Sequence, residues 1–91
     1  MLQPKPIRFT AHAETVIQAR AIERAWVTNV LRSPTWREPD KYDPSLVRAF
    51  APVEERQGRY LRVVYGETGT EFVIVTAFFD RNARLPQGAG Q

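Results

Sequence analysis

The chain has no cysteine and a single histidine, His12. Without thiols, neither a disulfide framework nor a thiolate metal site can form. The sequence carries no glycine-rich phosphate loop, no nucleophile elbow and no zinc-ligand spacing. No apolar run approaches the ~20 residues that span a bilayer. The stretch "MLQPKPIRF" (1–9) is too polar and too rich in proline for a secretory signal. These absences lead to the expectation of a soluble, cytoplasmic protein with no cofactor, no metal and no membrane contact.

Lysine is also scarce. Of 13 cationic residues, 11 are arginine, and they face 10 acidic ones for a net charge of +3. Arginine presents a planar fork that grips phosphate in a bidentate way, where lysine acts as a point charge. A basic balance made of arginine points toward an anionic partner such as nucleic acid. A charge of this size also serves solubility alone. The 91 residues, 43% hydrophobic and 25% charged, suit one globular domain.

"PIRFT" (6–10) alternates Ile7 and Phe9 with Arg8 and Thr10 and reads as a short strand. Residues 11–20 carry Ala11, Ala13, Val16, Ile17 and Ala19 without a breaker and read as a helix. Ile22 interrupts the pattern. A second helix, with Val27, Val30 and Leu31 on one face, runs to about Arg32 and stops before Ser33-Pro34. "TWREPDKYDPS" (35–45) is irregular, with Trp36 in a short strand at most, because Pro39 and Pro44 restrict it to an edge or loop. Glu38, Asp40 and Asp43 there read as loop residues rather than metal ligands. The period then changes to two. Residues 46–53, 59–65 and 70–79 read as strands joined by hairpin loops at 54–58 and 67–69. The fold expected is α+β: a short N-terminal strand and two helices on one face of a three- to five-stranded antiparallel sheet over residues 1–79, with a flexible tail at 80–91.

The loops propose a register. Val53 pairs with Arg59, Ala51 with Leu61 and Phe50 with Arg62. Around the second loop Gly66 pairs with Thr70, Val64 with Phe72 and Tyr60 with Thr76. Odd positions Val47, Ala49, Ala51, Leu61, Val63, Val73, Val75 and Ala77 then form the core face. The even face holds Arg48, Phe50, Tyr60, Arg62, Val64, Phe72, Ile74, Thr76 and Phe78. Arginines grip phosphates and flat rings stack on bases, so this face fits a single RNA strand. Arg48, Phe50, Tyr60, Phe72 and Phe78, with Arg81 beside the strand end, are the RNA-binding candidates. A covering tail, a protein partner or a homo-oligomer interface would equally explain an apolar outer face. Arg20 and Arg24 read by default as a solvated face paired with Glu23 or Asp80, and Trp26 and Trp36 as core or interface anchors.

"FTAHA" (9–13), Arg20 followed by "AI", a second helix ending before Pro34, "GRYLRVVY" (58–65) and "IVTAFF" (74–79) together resemble a small-protein family of the RelE/BrnT toxin type, related to the barnase-like ribonucleases. The resemblance implies a metal-independent ribonuclease toxin that cleaves mRNA, on the ribosome in many cases, and is neutralised by a small antitoxin protein. Cleavage through the RNA's own 2′-hydroxyl needs a base, cations for the phosphate and an acid for the leaving oxygen. His12 fits the base, because a helix N-terminus disfavours imidazolium. The other candidate catalytic residues are Arg20, Arg62 and Thr76. Three positions depart from the family pattern. Val16 stands where an arginine is usual, Ala21 where a glycine is, and Phe78 where the closing tyrosine is. The alternative is therefore a catalytically weakened member that binds RNA or protein.

Overall fold

The computed structural model describes residues 5–86. Strand β1 is Ile7–Phe9, helix α1 Ala11–Ala19, helix α2 Arg24–Arg32, strand β2 Trp36–Pro39, β3 Val47–Val53, β4 Arg59–Glu67 and β5 Phe72–Phe79. A 3₁₀ turn, Glu54–Arg56, joins β3 to β4. The five strands form one sheet in the order β1-β5-β4-β3-β2. The architecture is α+β, as expected. The sheet is mixed rather than wholly antiparallel, because β1 lies parallel to β5 on the edge that the β2–β5 meander leaves open. No helix among the described residues is long and apolar enough to cross a membrane.

Thr10 starts α1. Its hydroxyl accepts from the Ala13 N–H at 3.0 Å, so one orphan donor of the first turn is satisfied. The end of α1 is a complete Schellman closure. Ile22 N–H donates to Ile17 O at 2.8 Å and Ala21 N–H to Gln18 O at 3.3 Å. Ile17 and Ile22, three residues inside the cap and two beyond it, are both buried in the core. The residue that breaks the helical pattern is therefore the apolar partner of the cap. The geometry requires a left-handed residue between them, and Ala21 has φ 55°. An L-residue with a Cβ is strained there, by roughly 1–2 kcal/mol. Replacing Ala21 by glycine is expected to stabilise the fold by about 1 kcal/mol despite glycine's greater unfolded-state freedom. Thermal unfolding should report this as a rise of roughly 4–8 °C.

The core lies between the helices and one face of the sheet. Leu61, Ile74, Val27 and Val63 are its largest fully buried side chains. The β3–β4 register is the expected one: Val53 opposite Arg59, Ala51 opposite Leu61, Phe50 opposite Arg62. The β4–β5 register is not. Val64 pairs with Thr76, Tyr65 with Ile74 and Glu67 with Phe72, with a bulge that leaves Val75 unmatched. The cause is turn chemistry. The Thr68 hydroxyl accepts from the N–H groups of Thr70 and Glu71, at 3.2 and 3.0 Å, which makes the loop longer than a tight hairpin. The bulge then switches faces along β5. Ile74 is fully buried in the core and Phe72 packs against it, whereas Val73 and Val75 are outside it. Two residues expected on the outer face thus belong to the core, and two expected in the core do not. Tyr60 faces Pro52 and not Thr76.

Candidate nucleic-acid interface

A cross-strand row on the face away from the helices runs Trp36 (β2), Phe50 (β3), Arg62 (β4), Phe78 (β5). Trp36 stacks on Phe50 with ring centroids 4.5 Å apart and Tyr60 tilts against Trp36 at 5.4 Å. The Arg62 guanidinium lies over Phe78 at 4.6 Å and reaches Phe50 at 5.6 Å. Cation and ring attract through the ring's quadrupole. The aromatic half of this row is sealed. Phe50 is only 2% exposed and Trp36 8%, with the Trp36 Nε1 buried and without a hydrogen-bond partner. Arg48 is also buried. Its Nε donates to Asp40 Oδ1 at 2.9 Å, and Asp40 in turn accepts from the N–H groups of Tyr42 and Asp43. Arg48 thus anchors the 40–46 loop from beneath and does not present itself to phosphate. Hydrogen bonding from Arg48 holds the Asp40 carboxyl below the ordinary aspartate value.

Arg62 is engaged as well. Its Nε donates to Asp80 Oδ2 at 3.1 Å and its Nη2 reaches the same oxygen. Asp80 opens the segment expected to be a flexible tail, yet its N–H donates to Tyr60 O at 3.0 Å and its carboxylate accepts from Asn82 N–H at 2.9 Å. Burial pushes the Asp80 carboxyl up. The hydrogen bonds from Arg62 and Asn82 and the charges of Arg62 and Arg48 outweigh it and leave the group below the usual range. The rest of the expected tail, 87–91, lies outside the described residues.

Unpaired positive charge is concentrated one step further along β5. The Asp80–Tyr60 bond sets the alternation of the ladder, so the Ala77 carbonyl points away from β4 to the open edge. Arg20, the C-cap of α1, donates to that carbonyl at 3.2 Å. Its guanidinium lies 5.8 Å from the Phe78 ring, which leaves Phe78 between two arginines. The neighbouring ring, Phe79, is approached by Arg56 at 5.5 Å and Arg59 at 5.0 Å. Arg56 also donates to Ala21 O at 3.0 Å and so steadies the α1 cap. Arg20, Arg56, Arg59, Phe78 and Phe79 line an open cleft of ≈ 430 Å³. Among the described residues, these three arginines have no carboxylate partner, unlike Lys5, Arg8, Arg24, Arg48 and Arg62. Arg24 pairs with Glu14, and Asp80 takes Arg62 and not Arg20.

The expected site residues therefore divide. Arg20, Arg62 and Phe78 come together. Thr76, half-buried, sits two residues before Phe78 on β5, opposite Val64. Tyr60 is half-buried beside Trp36, and Arg81 is exposed just beyond Asp80. Phe72 is remote from this corner, packing on Tyr65 at the other end of β5 with Lys5 over its ring. His12 is exposed in the first turn of α1, eight residues before Arg20, which is about 12 Å of helix rise. Arg56, Arg59 and Phe79 were not among the sequence candidates. Arg56 sits in a hairpin loop, and Phe79 sits on the core side of its strand. The repeated arginine at 56, 59 and 62 around one hairpin was the available signal.

The arrangement can hold an anion: three planar forks, each with donors to spare, around two aromatic rings. No match was found among curated proteins or solved structures. A family profile matches residues 9–79, which take in everything from β1's last residue to the end of β5. On that match the chain belongs to the family described as "Domain of unknown function (DUF4258)".

Proposed function

We propose that this chain binds single-stranded RNA, as a domain of the RelE/BrnT toxin type, and that the arginine–aromatic corner at the end of β5 is where the strand is held. The observation that carries this reading is the convergence of Arg20, Arg56, Arg59 and Arg62 on the rings of Phe78 and Phe79. Guanidinium groups bind phosphate oxygens, and rings or guanidinium planes stack on bases whatever their identity. In this reading a small antitoxin protein would neutralise the toxin by occupying the same corner with carboxylates.

Metal-independent cleavage is the second reading, and His12 favours it. The imidazole is exposed on the first turn of α1, free to meet a 2′-hydroxyl. It sits about 12 Å of helix rise from Arg20 at the C-cap and makes none of the contacts to Phe78 and Phe79. Binding and cleavage therefore separate by mutation. The wild type is expected to bind a labelled single-stranded RNA at low salt, and His12→Ala to bind it equally well. If the chain cuts RNA, with or without ribosomes, and arrests growth on expression, His12→Ala abolishes both. Absence of RNA binding at low salt would overturn the proposal. Binding without any cut by the wild type would remove the ribonuclease reading and leave the binding module.

A further inference from the structure

The charge in the β5 corner exceeds what any one phosphodiester supplies. Each internal phosphodiester brings one negative charge per nucleotide. The cleft brings three guanidinium groups, Arg20, Arg56 and Arg59, none with a carboxylate partner among the described residues. Asp80 neutralises Arg62 next to it, so the fold places a carboxylate where it balances one arginine and none where three converge. Glu54 and Glu55 form no ion pair with these arginines and line the neighbouring cavity beside Trp26.

The three arginines come from three elements. Arg20 is tied to the Ala77 carbonyl and Arg56 to the Ala21 carbonyl, each through one nitrogen of its fork. Arg20 and Arg56 are thereby held in place and lose less entropy on binding, whereas Arg59 is exposed and lies over the Phe79 ring. The cleft is open and its ≈ 430 Å³ has room for a phosphate group with its nucleotide.

We infer that this cleft seats a terminal phosphate on a nucleotide, a phosphomonoester or polyphosphate group, and that the strand held in the proposed function is held by its phosphorylated end. The inference rests on the RNA-binding reading for its ligand, but its chemistry is that of the group itself. A monoester phosphate carries about −1.5 to −2 charges at neutral pH and three acceptor oxygens. That matches three cationic forks better than a phosphodiester does. Phe78 and Phe79 lie on opposite faces of β5, so one of the two rings, not both, would take the base of the same nucleotide.

The test uses three probes on the full chain: one RNA decamer with a 5′-phosphate, the same decamer with a 5′-hydroxyl, and inorganic pyrophosphate. The 5′-phosphorylated strand is expected to bind at least ten-fold more tightly, pyrophosphate to compete with it, and Arg59→Ala to remove the preference. Arg59 makes no side-chain hydrogen bond to the rest of the described chain that its loss would break, so folding should be unaffected. Equal affinity for both decamers with no competition by pyrophosphate would overturn the inference while leaving RNA binding intact. Pyrophosphate binding with no RNA binding would support the phosphate seat and overturn the RNA reading. A free nucleoside diphosphate binding more tightly than the RNA end would support the seat and identify its source as a free nucleotide.

Discussion

Replacing Arg20, Arg56 and Arg59 together by alanine is expected to lower affinity for single-stranded RNA by about 100-fold or more at low salt. Each charge-assisted hydrogen bond to phosphate contributes on the order of 1.5–3 kcal/mol. Because the three groups have no internal carboxylate to satisfy, their removal leaves no buried charge behind. The fold loses only two bonds, to Ala77 O and Ala21 O. The salt dependence should flatten in parallel. For single strands the slope of log affinity against log salt changes by about 0.7 for each phosphate charge that the protein ceases to neutralise, so the loss of one terminal phosphate of about −1.5 to −2 charges should make the triple variant shallower by about 1. Arg8 is the control. It is exposed and paired with Glu71 beside β1, and Arg8→Ala should leave both quantities unchanged. Filter binding across a salt series checks the prediction. An unchanged slope in the triple variant would show that the strand lies elsewhere.

Asp80 is expected to carry the largest single electrostatic contribution to stability. Its side chain is 9% exposed and that of Arg62 20%, so the pair is largely out of water. Asp80→Ala would leave the Arg62 guanidinium half-buried against Phe50 and Phe78 with no counter-charge. Breaking such a pair costs roughly 3 kcal/mol. Asp80→Asn keeps the shape and the acceptor for Asn82 N–H and should cost less. The pH dependence follows in sign. The folded-state carboxyl of Asp80 lies below its ordinary value of 3.8, and Asp40 is lowered in the same way by Arg48. Near and below that ordinary value the unfolded chain takes up more protons than the folded one. The stabilisation is therefore fully present above about pH 4 and is lost as pH falls through the folded-state values. Urea unfolding at a series of pH values should show a steep loss on the acid side in the wild type. In Asp80→Asn that loss should be shallower, with only the Asp40 part remaining.

Much of the fold could be read from periodicity. The alternation in "VRAFAPV" and "RYLRVV" and the "EERQG" turn defined both strands and their pairing, because one face is apolar throughout and a slip would expose it. The β4–β5 pairing was not legible in the same way. "FVIV" is apolar at every position, so alternation cannot choose a face. The choice was made by the Thr68 turn and the bulge at Val75, which depend on hydrogen bonds across the loop. Ile22 looked like an interruption because the Schellman closure joins residues five apart, outside the helical period.

The candidate site was legible as residue types and not as a place. Composition alone determined an arginine-rich chain without thiols, and the order of periods determined two helices followed by a meander. Those are local properties, set by backbone geometry and by which residues avoid water. The tertiary structure decided which arginines are free. Arg48 and Arg62 meet carboxylates from residues 40 and 80, whereas Arg20, Arg56 and Arg59 meet only carbonyl oxygens and rings. Ion pairing depends on distance in space, and residues 18 or 57 positions apart become neighbours only when the sheet closes. The same closure brought Arg20 to Phe78 and left His12 at the far end of α1.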